Sequence, residues 1–164
     1  MVYPRTFSKN RLKMGSRALL EKSMQVQKSL KSIGVDSVIE TKKDFIELNI
    51  DQLKHGKKAD GTQIGRYSKS KQWKWYAEKK HAQNPLAGFG NKDLIHEEDF
   101  INGLDINKHG GDGIEAFSHD EKYNLLTAQY GENILGLQED NTPVYRRKAF
   151  IPTVRKKVSA IYNG

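Results

Sequence analysis

Cysteine is absent from the 164 residues. That excludes disulfides, thiolate metal sites and cysteine nucleophiles, and it suits a reducing compartment. No apolar run approaches the roughly 20 residues that span a bilayer. The basic N-terminal residues lead into no apolar stretch, so no secretory signal is read there, and the chain is expected to be soluble and without a membrane partner. A phosphate-binding glycine loop is also missing. Gly110-Gly111-Asp112-Gly113 lacks the following Lys-Ser/Thr, and an acid at that place repels phosphate. There is no internal repeat.

Acidic residues are nearly missing from the two ends. Residues 1–34 carry eight Lys/Arg against one acid, Glu21, and residues 144–164 carry six Lys/Arg and none. The body, residues 35–143, is acidic, with a net charge of −5, although the whole chain is at +8. Such segregation fits a phosphate-seeking surface. It fits equally well basic arms that dock on acidic faces of neighbouring subunits, or a solubilising surface. The length fits one domain, since domains commonly run to about 100–150 residues, and folding at this size buries roughly 70% of the unfolded surface.

Residues 1–15 read as a basic extended arm, and 16–164 as a single α+β domain that ends in a basic helix. Ser16 is placed to cap a helix running to about Ile33, with Gly34 as its stop. Leu19, Val26, Leu30 and Ile33 form its stripe, widened by Leu20 and Met24. Thr41-Lys42-Lys43-Asp44 resembles a capping box for a second helix, which His55-Gly56 ends. Ala59-Asp60-Gly61-Thr62 signals a turn. An aromatic helix spans about Ser70 to Ala82, and a loop follows around Asn84-Pro85, Gly88 and Gly90. Phe100-Ile101 falls on a short helix or turn.

Leu104-Asp105-Ile106 and Ile114-Glu115-Ala116-Phe117 alternate around His109 to Gly113, which predicts a β-hairpin. A lone hairpin is marginal in water, so helices or a neighbouring subunit should complete it. Ser118 to Glu121 opens a helix with Tyr123, Leu125, Leu126 and Tyr130, closed by Gly131. A last helix spans about Phe150 to Tyr162, with Pro152 in its first turn and Ile151, Val154, Val158 and Ile161 as its stripe.

Catalytic signatures are weak. The five histidines show no His-x-x-x-His spacing. His96-Glu97-Glu98-Asp99 is the best candidate for a metal or acid–base cluster, yet consecutive helical residues diverge, and acids there suit a helix start. Neither a metal nor another cofactor is expected. Trp73-Lys74-Trp75, flanked by Lys69, Lys71, Lys79 and Lys80, suits stacking on bases or burial in the core. Both hold if Trp73 lies inside and Trp75 outside.

A helix ending in Gln52-Leu53 precedes a glycine-rich turn, Gly56 to Gly65, and then Tyr67-Ser68. Tyr76-Ala77-Glu78-Lys79 follows, then Asp93-Leu94 and Asp99-Phe100 ahead of the hairpin. After it come Lys122 to Leu126, Tyr130-Gly131 and Ile134-Leu135-Gly136-Leu137. In order and spacing, residues 45–137 resemble small phage proteins of tail completion and the head–tail connector. That family often has Thr-Gly before the Asp-Phe, where this chain has Glu97-Glu98. The resemblance implies a non-enzymatic virion protein of the neck or tail, made in the bacterial cytoplasm, and suggests no catalytic residue.

The expected role is an oligomeric ring or collar subunit. Its partners would be copies of itself, other neck, tail and portal-side subunits, and packaged DNA. Arg11, Lys13, Arg17, Trp75, Arg146, Arg147, Arg155, Lys156 and Lys157 are the candidate contacts. The alternative is a nucleic-acid-binding protein that uses Trp75 and the basic ends, and a hydrolase built on His96 and Glu97 is the third.

Overall fold

Gly34 does not stop the first helix. The computed structural model describes residues 15–95 and 99–164, and in it α1 runs unbroken over Ser16–Glu40, with Gly15 rather than Ser16 at its N-cap. A mid-helix glycine costs about 1 kcal/mol relative to alanine. Here the turn around it is packed: Ile33, Val35 and Ser37 are buried on either side, so tertiary burial outweighs the local penalty.

Thr41 separates α1 from α2 (Lys42–Lys54). Its side chain does not cap α2 as the sequence suggested. The hydroxyl lies 2.7 Å from the Ser37 carbonyl, to which it donates, and 2.7 Å from the Tyr145 hydroxyl. The end of α2 is as expected, with Gly56 at φ +68° just past His55. Any Cβ on Gly56 would sit 2.8 Å from the Lys92 carbonyl oxygen, so this glycine also permits a close chain crossing.

Then come α3 (Lys71–Gln83), a 3₁₀ turn at Pro85–Ala87, and the four-residue α4 (Asp99–Asn102). Strands β1 (Leu104–His109) and β2 (Gly113–Ser118) pair antiparallel with Ile106 opposite Ala116, which makes the expected hairpin and the α+β class. Ile106, 1% exposed, faces inward together with Leu104 and Ala116. Phe117 does not share that face. It pairs with Asp105, is half-buried, and sets its ring edge-on to His119, because alternate strand residues point to opposite sides.

The chain continues with α5 (Tyr123–Tyr130), a 3₁₀ turn at Glu132–Ile134, and α6 (Asn141–Tyr145). A π-helical turn, Arg146–Phe150, joins α6 directly to α7 (Ile151–Asn163). The last helix thus lies where the sequence placed it, but α6 and the π turn run straight into it. Pro152 explains the wide turn: it has no N–H for the carbonyl four residues back, and its ring crowds that carbonyl. The Ile151 N–H reaches instead to the Arg146 carbonyl.

The core gathers Leu53, Ile64, Leu94, Phe100, Ile101, Ile134 and Leu135, with the inner face of the hairpin and α5 packed against it. Burying each large side chain contributes roughly 1.5–3 kcal/mol. α1 lies outside this core. It packs on α7, which runs in the opposite sense: Lys22 donates to the Tyr162 carbonyl at 2.9 Å, and Lys157 pairs with Glu40 at 2.8 Å. Ion pairs Lys31–Asp112 and Lys42–Asp105, together with Lys108–Asp36, fasten the hairpin to the α1–α2 segment. Among the described residues no helix is long and apolar enough to cross a membrane.

Candidate functional site

Two surfaces stand out. The first is the α1–α7 flank. Val26 is half-buried and Ile33 buried, but Leu19, Leu20, Met24 and Leu30 remain exposed, so α7 covers only part of the apolar stripe. α7 itself has no fully buried residue, which means both helices present a good deal of side chain to water. Arg155 and Lys156 are exposed on α7, and Arg146 and Arg147 on the π turn before it.

Of the candidate contacts on this flank, Arg17 is exposed and paired with Glu21 at 3.2 Å. Lys157 differs from the expectation. It is half-buried, and its ammonium is engaged by Glu40 within the chain, holding that carboxyl below its ordinary value. Arg11, Lys13, His96 and Glu97 lie outside the described residues.

The second surface is a cleft of about 960 Å³ between α3, α5 and two loop segments. Backbone pairing sets up one wall. Lys92 N–H donates to the Gly65 carbonyl at 2.8 Å, and Tyr67 N–H to that of Gly90 at 2.9 Å, which brings Tyr67 and Lys92 side by side. α3 adds Trp73, whose ring lies nearly parallel to Tyr67 with centroids 6.2 Å apart, and Tyr76, edge-on to both. Trp73 is therefore not a core residue. It is 44% exposed, and Trp75 is 65% exposed at the same cleft.

Opposite stand Leu126 and Tyr130 of α5. The Lys92 ammonium lies 5.9 Å from the Tyr67 ring centre and 5.3 Å from that of Tyr130, and donates to the Tyr130 hydroxyl at 3.3 Å. Cation–π attraction of this kind fixes the lysine without neutralising it.

The floor holds an ion pair, Lys80 Nζ to Asp93 Oδ1 at 2.8 Å, with side chains 5% and 2% exposed. Two buried charges persist only when paired and hydrogen-bonded. Lys80 also donates to the Ile95 carbonyl at 3.3 Å, and Asp93 Oδ2 accepts from Asn84 Nδ2 at 2.8 Å. Burial, with Tyr76, Asp93 and Tyr130 nearby, pushes the Tyr67 phenol up, so it stays protonated at physiological pH. The cleft thus combines stacked aromatic faces with a lysine, Lys92, held between two rings.

Among the described candidate contacts Trp75 alone lines the cleft, beside Trp73 of the same lysine-flanked segment. Lys92, Asp93 and Tyr130 were not legible as site residues, since they come from segments far from the tryptophan helix in the chain. The only hint was the density of Tyr and Trp between residues 67 and 76. Among the described residues, no three His, Asp or Glu side chains gather to hold a metal. Comparison of the chain with protein-family models, curated proteins and solved structures finds no match.

Proposed function

We propose that this chain is a non-enzymatic structural protein of a phage virion, a ring or collar subunit of the neck or tail that assembles with copies of itself through the α1–α7 flank. The observation that carries this is the uncovered side of α1, where Leu19, Leu20, Met24 and Leu30 are exposed along a helix whose first half contributes no buried residue. Leu20 and Met24 lie one turn apart with Leu19 beside them, and exposed apolar surface gathered in this way marks an interaction site.

Charge supports the choice of occupant. Arg146, Arg147, Arg155 and Lys156 have no ion-pair partner among the described residues, and the −5 body of a second copy offers one. At a Debye length of about 8 Å in physiological salt such attraction acts only at close range, so packing sets the register and charge steers the encounter. The motif order over residues 45–137 favours the neck or tail as the place of assembly. The basic ends also suit portal-side and tail partners, and packaged DNA.

Size-exclusion chromatography with light scattering tests the proposal. A multimer is expected, reduced to monomer by Leu20→Glu with Met24→Glu at unchanged circular dichroism. A parent chain that stays monomeric at high concentration, and is missing from purified particles by mass spectrometry, overturns it.

A further inference from the structure

We propose that the cleft between α3 and α5 binds a phosphate-bearing nucleobase, with the ring against Trp73 and Tyr67 and the phosphate toward Arg66, Lys92 and Lys122. The cleft lies apart from the α1–α7 flank, so the proposal stands or falls independently of self-assembly.

Its size is that of a small-molecule or single-nucleotide pocket, which commonly measures about 300–1,000 Å³. Its chemistry is selective for a flat anion. Aromatic faces on one wall accept a π-system of any base, because every base has one. Among the described residues, four cationic side chains and two carboxylates line the cleft. Asp93 is neutralised by Lys80, and Asp120 Oδ1 accepts from the Lys122 backbone N–H at 2.6 Å. Asp120 keeps its charge, so among the described residues Arg66, Lys92 and Lys122 outweigh it by two at the walls.

Lys92 is the most constrained of them, held between Tyr67 and Tyr130, so an anion meets a preorganised donor rather than a freely moving chain. Outside the mouth, Lys79 sits 5.7 Å from the Trp75 ring centre. Lys71 and Lys74 are exposed on the same helix, which gives a continuing strand a track for its backbone.

A free nucleotide and a base within a single strand share this chemistry, and two probes separate them: thymidine monophosphate, and a ten-nucleotide oligothymidine. Both are followed by quenching of tryptophan fluorescence in the full-length protein. Quenching by either probe is expected, with affinity falling steeply as salt rises. If only the oligomer quenches, the source is a single strand; comparable quenching by the monophosphate assigns a nucleotide.

Trp73→Ala should weaken binding by about tenfold to a hundredfold. Lys122→Gln, at an exposed position, should weaken it and flatten the salt slope with the fold intact. Lys43→Gln, exposed on α2 and outside the cleft, should leave both unchanged. Three results each overturn the proposal: no quenching by either probe, binding indifferent to both cleft substitutions, or equal binding of an uncharged aromatic peptide without salt dependence.

Discussion

The Gln52 side chain grips the backbone around Gly136 from both ends of its amide. Nε2 donates to the Gly136 carbonyl at 3.0 Å, while Oε1 accepts from the Gln138 N–H at 2.8 Å. Asn49, one turn earlier on α2, donates to the same carbonyl at 2.8 Å. Both side chains are buried. The Gln-Leu pair that ends α2 and the Ile-Leu-Gly-Leu segment, 84 residues apart, are thus one physical unit.

Gln52→Leu keeps the volume but leaves the Gln138 N–H without its acceptor. An unsatisfied buried group costs about 1–3 kcal/mol, so urea denaturation should show a loss of that size. A change within experimental error would mean that water replaces the amide, and that the clasp is not structural.

Ile106→Ala should be the more damaging of two hairpin truncations, at about 2–5 kcal/mol for a fully buried aliphatic side chain. Phe117→Ala acts on the other, half-buried face and should remain under about 2 kcal/mol. Denaturant titration of both variants checks the ranking, and a reversed order would place Phe117 inside.

Breaking the Lys80–Asp93 pair strands a charge at the cleft floor. Lys80→Met should destabilise by about 3–5 kcal/mol, and adding Asp93→Leu should recover much of that loss. Thermal melts of the two single variants and the double variant form the cycle. If the double variant is as unstable as Lys80→Met, the pair is not what the charge was waiting for.

Acid should loosen the attachment of the hairpin and α7 to α1. Asp36, Asp105, Asp112 and Glu40 are held below their ordinary values, in each case first by the hydrogen bond from a lysine: Lys108, Lys42, Lys31 and Lys157. A carboxyl whose folded pKa lies below its unfolded one adds stability that is complete above the unfolded value. That stability is lost as pH falls through the folded value. With ordinary values of 3.8 for Asp and 4.5 for Glu, Tm should decline once pH drops below 4.5. Asp36→Asn with Asp112→Asn and Glu40→Gln should show a shallower decline, and an unchanged slope in that triple variant would refute the linkage.

Local backbone chemistry was enough to determine the turns, the hairpin and most helix ends. Gly56, Gly61, Gly110 and Gly131 all take positive φ, where glycine alone is at ease, and alternation around Gly110 placed both strands. These features depend on a few neighbouring residues, so they can be read along the chain. Gly34, Thr41 and Lys157 could not be. Gly34 stays helical because Ile33, Val35 and Ser37 are buried around it, and Thr41 turns its hydroxyl to Ser37 and Tyr145. Lys157 meets Glu40 only after α7 folds back along α1. The cleft is the extreme case, since Tyr67, Trp73, Lys80, Lys92 and Tyr130 converge from four segments. A side chain's charge, burial and partner are set by whatever packing brings within a few ångströms, and that distance is decided by the tertiary fold.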